Sequence, residues 1–239
     1  MGLSAALLLA ASLSAATATP AMRVVRTSSS GTPLLVNGGF EAVQPGKPTS
    51  WFAWQQGFRL APGEGNTGSP GVVCERREGE GEFGASQALT LNRTNIAPFI
   101  IRGWSKAENV SGSPDNGYSL YVDIVYADGT PLWGQTVSFT CGTHDWEQRQ
   151  FVLLPDKPVK SLTLHCLFRG HTGKVWFDDV SLEEVATPAG AILFQGATLR
   201  EATQARVEPK AARRKLSTHD GMKLTLRDNT ITSLQLDGK

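Results

Sequence analysis

The sequence predicts an all-β fold, and three observations predict it. Turn-forming residues are abundant, with 25 glycines and 13 prolines in 239 residues. Short apolar runs with period-two alternation recur between those turn signals through residues 34–184. No long amphipathic helical pattern interrupts them. Many short strands in this arrangement make a sandwich or a barrel.

The chain opens with MGLSAALLLAASLSAATATPAM, which reads as a secretory signal over residues 1–21. An apolar run, Leu3 to Leu13, is followed by Ala16-Thr17-Ala18, the small-x-small form of a cleavage site. No Lys or Arg precedes Arg23. The run is too short to span a bilayer, so the expectation is a secreted or extracytoplasmic protein without membrane contact. Residues 22–33 are polar and Ser/Thr-rich, like a linker.

Candidate strands follow at Gly71–Arg76, Phe83–Leu91, Phe99–Ser105, Tyr118–Tyr126, Leu132–Thr140, Trp146–Leu154, Val159–Phe168 and Lys174–Leu182. Asp115-Asn116-Gly117 and Asp128-Gly129 mark turns, the second closing a hairpin. In YSLYVDIVY, Leu120, Val122 and Ile124 point one way and Tyr121 and Asp123 the other. In SLTLHCLFR, Leu162, Leu164, Cys166 and Phe168 form one face and Thr163, His165 and Arg169 the opposite one. In FIIRGWSK, Arg102, Trp104 and Lys106 share a face with Ile100, leaving Phe99 and Ile101 for the core.

Past Glu184 the texture changes. Residues 185–215 read as a second linker, ending in Arg213-Arg214-Lys215. Residues 216–239 read as the start of a further β domain, with a hairpin in MKLTLRDNTITSLQLDG turned at Asp228-Asn229.

A formal charge of +1 gives neither a nucleic-acid footprint nor a funnel for acidic substrates. Cys74, Cys141 and Cys166 make an odd count. They read as small buried hydrophobes, with a Cys141–Cys166 disulfide the other option. Two glycosylation sequons, at Asn92 and Asn109, matter only in a eukaryotic source.

Catalytic motifs are missing. There is no Gly-x-Ser-x-Gly elbow and no His-Glu-x-x-His helix. Gly63 to Gly68 spells Gly-x-Gly-x-x-Gly, but it lies between Pro62 and Pro70 with no helix pattern after it. The His and Cys spacings match no zinc pattern. Adjacent Asp178 and Asp179 on one strand point to opposite faces, so they do not straddle a glycosidic bond.

Sugars offer axial C–H patches and rings of hydroxyls, so a sugar surface needs flat aromatics beside planar polar groups. Arg102, Trp104, Tyr121, Asp123, His165 and Arg169 supply both on faces opposite the core, and form one patch if their strands are neighbours. Trp51, Trp54 and Trp133 are further candidates on loops. Trp146 and Trp176 read as packing.

Several segments carry a resemblance. They are NGGFE at Asn37–Glu41, Pro48 and Trp51, GNTGSPGVV at Gly65–Val73, FIIRGWSKA, YVDIVYADG, THDWEQRQF and VWFDDVSL at Val175–Leu182. Together they resemble the calcium-binding carbohydrate-binding modules of families four, nine and twenty-two, over about residues 34–184. The resemblance implies a jelly-roll β-sandwich of the galactose-binding-like kind. It implies a structural calcium ion held by Glu41 and Asp178, with Asp179 a further candidate and carbonyls from the Gly65–Ser69 loop. It also implies a non-catalytic module, attached to a further domain, that targets a secreted protein such as a glycoside hydrolase to polysaccharide or oligosaccharide. Two readings from other classes remain: an adhesion sandwich that contacts protein, and a fragment of an enzyme acting on glycosyl bonds.

Overall fold

Eighteen strands and no helix make up the described residues, which in this computed structural model are 22–44, 47–196, 213–217, 219, 222–227 and 230–236. The leader 1–21 and the Asp228-Asn229 turn lie outside them. The chain divides into two units, Met1–Ala197 and Thr198–Lys239.

In the first unit the strands are β1 Met22–Val25, β2 Thr32–Pro33, β3 Val43–Gln44, β4 Lys47–Pro48, β5 Phe52–Gln55, β6 Arg59–Ala61, β7 Gly71–Arg76 and β8 Phe83–Thr90. They continue with β9 Phe99–Val110, β10 Tyr118–Tyr126, β11 Pro131–Ser138, β12 Gly142–Leu153, β13 Val159–Phe168, β14 Gly173–Glu184 and β15 Ile192–Gln195. A five-stranded sheet runs β11-β10-β13-β8-β5, and a facing sheet runs β12-β9-β14-β7-β6 with β2 also on β14. From β8 onward the chain crosses repeatedly between the sheets, which is the jelly-roll sandwich the sequence predicts.

The alternating strands place their apolar sets between the sheets. Leu120, Val122 and Ile124 of β10 and Leu162, Leu164, Cys166 and Phe168 of β13 are buried, as are Ile101 of β9 and Val175 and Phe177 of β14. Tyr118 anchors this core. Its ring packs 5.1 Å from Phe139, 5.8 Å from Phe168 and 5.9 Å from Phe177. Its hydroxyl meets Ser105 Oγ at 2.5 Å, which satisfies a buried polar group, and burial pushes its pKa up. All three cysteines are free thiols, with Cys74 and Cys166 buried in this core.

The opening and closing motifs meet. Gly38 O accepts a hydrogen bond from Val180 N at 2.9 Å, and Leu34 N donates to Leu182 O at 2.9 Å. A Cβ on Gly38 would stand 1.9 Å from Val180 O, so the contact requires glycine. Asn37 closes the loop by donating to Ala42 O at 2.9 Å and accepting from Ala42 N at 2.9 Å. Asn37 O also accepts the Trp51 indole N–H at 2.8 Å. Phe40, fully buried, plugs the sandwich against Trp51 at 4.9 Å.

The stretch read as the first linker contributes pairing. β1 runs parallel to β15, and β2 pairs with the end of β14. Val25 is buried there with Ile100, Val152 and Val185, a second apolar cluster on the far side of β9, so Ile100 is also core.

The second unit holds β16 Arg213–Ser217, β17 Met222–Arg227 and β18 Thr230–Leu236, in that order across one antiparallel sheet. The basic run Arg213-Arg214-Lys215, read as the end of a linker, lies within β16.

Candidate functional site

Period-two alternation sends one side-chain set of each strand in the five-stranded sheet away from the core. Register then fixes who stands beside whom. Thr136, Tyr121, His165, Ser86 and Phe52 form one row across β11, β10, β13, β8 and β5. The next row on one side carries Ser119, Leu167, Gly84 and Trp54. On the other side stand Asp123, Thr163 and Ala88.

Trp54 lies over Gly84, where an added Cβ would come 3.4 Å from the indole. The missing side chain lets the ring settle onto the sheet. Its centroid is 6.2 Å from the His165 ring, and the Tyr121 ring is 5.8 Å from His165 on the other side. Together Trp54, Tyr121, Asp123, His165, Leu167 and Arg169 line a shallow cleft of about 70 Å³.

At the far edge a β-bulge shapes the rim. The β10–β11 register slips between Val122 and Ile124, and Gly134 takes a φ of 74°. Gly134 N donates to Asp123 Oδ1 at 3.0 Å. The extra residue re-aims its neighbour, Trp133, which is 58% exposed beside Asp123. Phe52, 46% exposed, stands on the opposite edge strand. A polar floor is thus flanked by aromatics at both edges.

His165 is tightly held. Its Nδ1 meets Ser86 Oγ at 2.6 Å, and its Nε2 is 4.0 Å from Asp123 Oδ2. Burial lowers its pKa below the ordinary histidine value; the Asp123 carboxylate opposes this and the Arg169 guanidinium adds to it. The imidazole is therefore neutral at pH 7, and the contact with Asp123 is not an ion pair. Ser86 is fully buried, so its own hydroxyl does not face solvent despite the serine–histidine contact.

The structure brings together Tyr121, Asp123, His165 and Arg169 of the predicted face. Trp54 joins them in the cleft, and Trp133 stands exposed on the adjoining edge strand β11. Arg102 and Trp104 do not, and this corrects the single six-residue patch. Both lie on β9, which pairs with β12 and β14 in the other sheet, so they face outward on the opposite side of the sandwich. The Arg102 guanidinium is bound to Glu183 and to Thr27 O. Trp51 is also removed, since it is core packing. Phe52, Ser86 and Leu167 were missed. Phe52 and Trp54 sit on a four-residue strand whose sequence signal is masked by the proline-rich loop before it.

A larger depression, about 510 Å³ beside Lys106–Asn109 and Thr143–Asp145, has His144 as its sole ring. It lacks the flat aromatics that the groove offers.

The three acids proposed for a metal lie at the junction of opening and closing motifs. Asp178 is fully buried. Its Oδ2 accepts Asn66 N at 2.8 Å and Ser69 Oγ at 2.9 Å, and its Oδ1 accepts Asp179 N at 2.7 Å. Burial raises its pKa against the pull of those donors. No cationic side chain pairs with it among the described residues. Asp179 adopts a φ of 47° in a bulge of β14, so the strict alternation expected for adjacent acids is broken there. A Cβ on Gly39 would lie 3.5 Å from Asp179 Oδ1 and 3.7 Å from Glu41 Cγ, so these side chains flank the same glycine. Among the described residues, no three His, Cys, Asp or Glu side chains cluster so as to hold a metal by themselves.

No protein-family model matches the chain. A curated relative, tRNA nuclease WapA of Bacillus subtilis strain 168, is 36% identical over 86 residues, which is 35% of this chain and 4% of the relative. The chain therefore spans a small fraction of the curated relatives it matches. Among solved structures, the chain is similar to the CBM22-1 xylan-binding domain of Paenibacillus barcinonensis Xyn10C. The TM-score is 0.48 at 18% identity, over 67% of this chain and 99% of that one. It is also similar to TmCBM61 in complex with β-1,4-galactotriose, with a TM-score of 0.41 at 15% identity, over 66% of this chain and all of that one. Neither identity nor superposition is high enough to carry function across.

Proposed function

We propose that the first unit is a non-catalytic carbohydrate-binding module whose groove on the five-stranded sheet takes a polysaccharide or oligosaccharide chain. One observation carries this reading: Trp54 and Trp133 flank a floor of Tyr121, His165, Asp123 and Arg169 on one sheet face. Aromatic faces suit the C–H patches of sugar rings, and carboxylate, imidazole and guanidinium suit their hydroxyls. The module would hold an exported parent protein, such as a glycoside hydrolase, at its polymer and raise local substrate concentration by tethering.

The proposal includes a structural calcium ion at the junction of opening and closing motifs. Glu41, Asp178 and Asp179 would hold it with oxygens of the 65–69 loop, and it would supply a hard cation that favours oxygen ligands. What supports this is Asp178 itself, a sealed carboxylate with three donors and no cationic partner among the described residues.

Affinity electrophoresis of the whole chain through gels containing β-glucan, xylan, mannan or no polysaccharide tests the proposal. Retardation in at least one polymer gel is expected. Unretarded migration of folded, calcium-supplied protein in all of them would favour a sandwich that contacts protein.

A further inference from the structure

We infer that the groove selects an acidic glycan, one carrying uronic acid residues, and that Arg169 receives the carboxylate. The inference rests on the groove being the glycan site. Arg169 is the one permanently cationic side chain in the cleft lining. Its guanidinium stands 5.3 Å from the Tyr121 ring centroid, held by a cation–π contact at the edge of the cleft. Among the described residues that guanidinium has no carboxylate within ion-pair reach and no hydrogen-bond acceptor.

The acids around it stand out of ion-pair reach, although the Asp115 carboxylate feels its charge. Asp115 Oδ1 accepts Gly117 N at 2.6 Å and contacts His171 Nε2 at 2.9 Å. Asp123 accepts Gly134 N and faces the Trp133 rim. It pairs with Thr163 of β13, and Arg169 directly follows that strand. Asp123 and Arg169 line the same cleft, Asp123 beside His165 and Arg169 beside Tyr121. His165 between them is neutral.

A planar fork of five N–H donors with no partner matches a carboxylate geometrically and electrostatically. A neutral sugar hydroxyl would use one donor and leave the charge unmatched. The stacking on Tyr121 holds the fork in place before the ligand arrives, so less side-chain freedom is lost on binding.

The test uses the full chain and three acidic polymers: glucuronoxylan, polygalacturonate and alginate. Each is compared with its carboxyl-reduced form by affinity electrophoresis at low and high salt. The expected result is about tenfold tighter binding to at least one acidic polymer than to its reduced form, the gap narrowing as salt rises. Arg169→Gln should cost the acidic form more affinity than the reduced form, so that the gap closes, and Arg169→Lys should keep part of the gap. Equal wild-type affinity for acidic and reduced polymers, or binding of neutral β-glucan or mannan alone, would overturn the inference and leave the groove as a neutral-sugar site. Equal loss of both affinities in Arg169→Gln would make Arg169 a packing residue. Binding to no polymer, acidic or neutral, would sink the carbohydrate reading itself.

Discussion

His165 Nδ1 and Ser86 Oγ meet at 2.6 Å in the floor of the groove, both all but sealed from water. The contact fixes the imidazole between Trp54 and Tyr121. It also sets a pH dependence. The folded-state pKa of His165 is lowered by burial, so the unfolded chain binds the proton more readily. This contribution to stability is complete above the unfolded value near 6.5, and is lost as pH falls from there toward the lower folded value. Melting temperatures of wild type and His165→Asn should therefore diverge less at pH 5 than at pH 7.5. A constant difference across that range would contradict the assignment.

Calcium should raise the melting temperature of the whole chain, by an amount that grows with the logarithm of its concentration. Glu41→Gln and Asp179→Asn should weaken that response. Calorimetric titration of chelator-stripped protein checks uptake directly, and flat heats would remove the ion from the account.

Gly38→Ala should destabilise the sandwich by about 3 kcal/mol, because the new methyl would be driven into Val180 O where the two ends meet. Denaturant unfolding measures this. A change within about 0.5 kcal/mol, the size of an ordinary surface substitution, would mean that the closure relaxes freely.

Much of this molecule is legible in its sequence. The alternation in YSLYVDIVY and SLTLHCLFR separates core from groove for Tyr121, Asp123 and His165, because side-chain direction is a local property of a strand. The meeting of NGGFE with VWFDDV is legible through the resemblance. Strand neighbours are not, because pairing is set by long-range crossings between sheets. Arg102 and Trp104 alternate as cleanly as Tyr121, yet β9 belongs to the other sheet. Gly134 inside a strand was the available sign of the bulge beside Trp133. Phe52 and Trp54 gave no such sign, since a four-residue strand beside a proline-rich loop carries too little periodicity.

The most direct measurement compares two faces of one sandwich in whichever polysaccharide gel retards the wild-type chain. Trp54→Ala and Tyr121→Ala alter the five-stranded face; Trp104→Ala alters the six-stranded face. If the groove is the site, each of the first two weakens binding about 30-fold, near 2 kcal/mol, and the third leaves retardation unchanged. Loss of binding in Trp104→Ala with wild-type retardation of the other two would move the site to the opposite sheet and contradict the account.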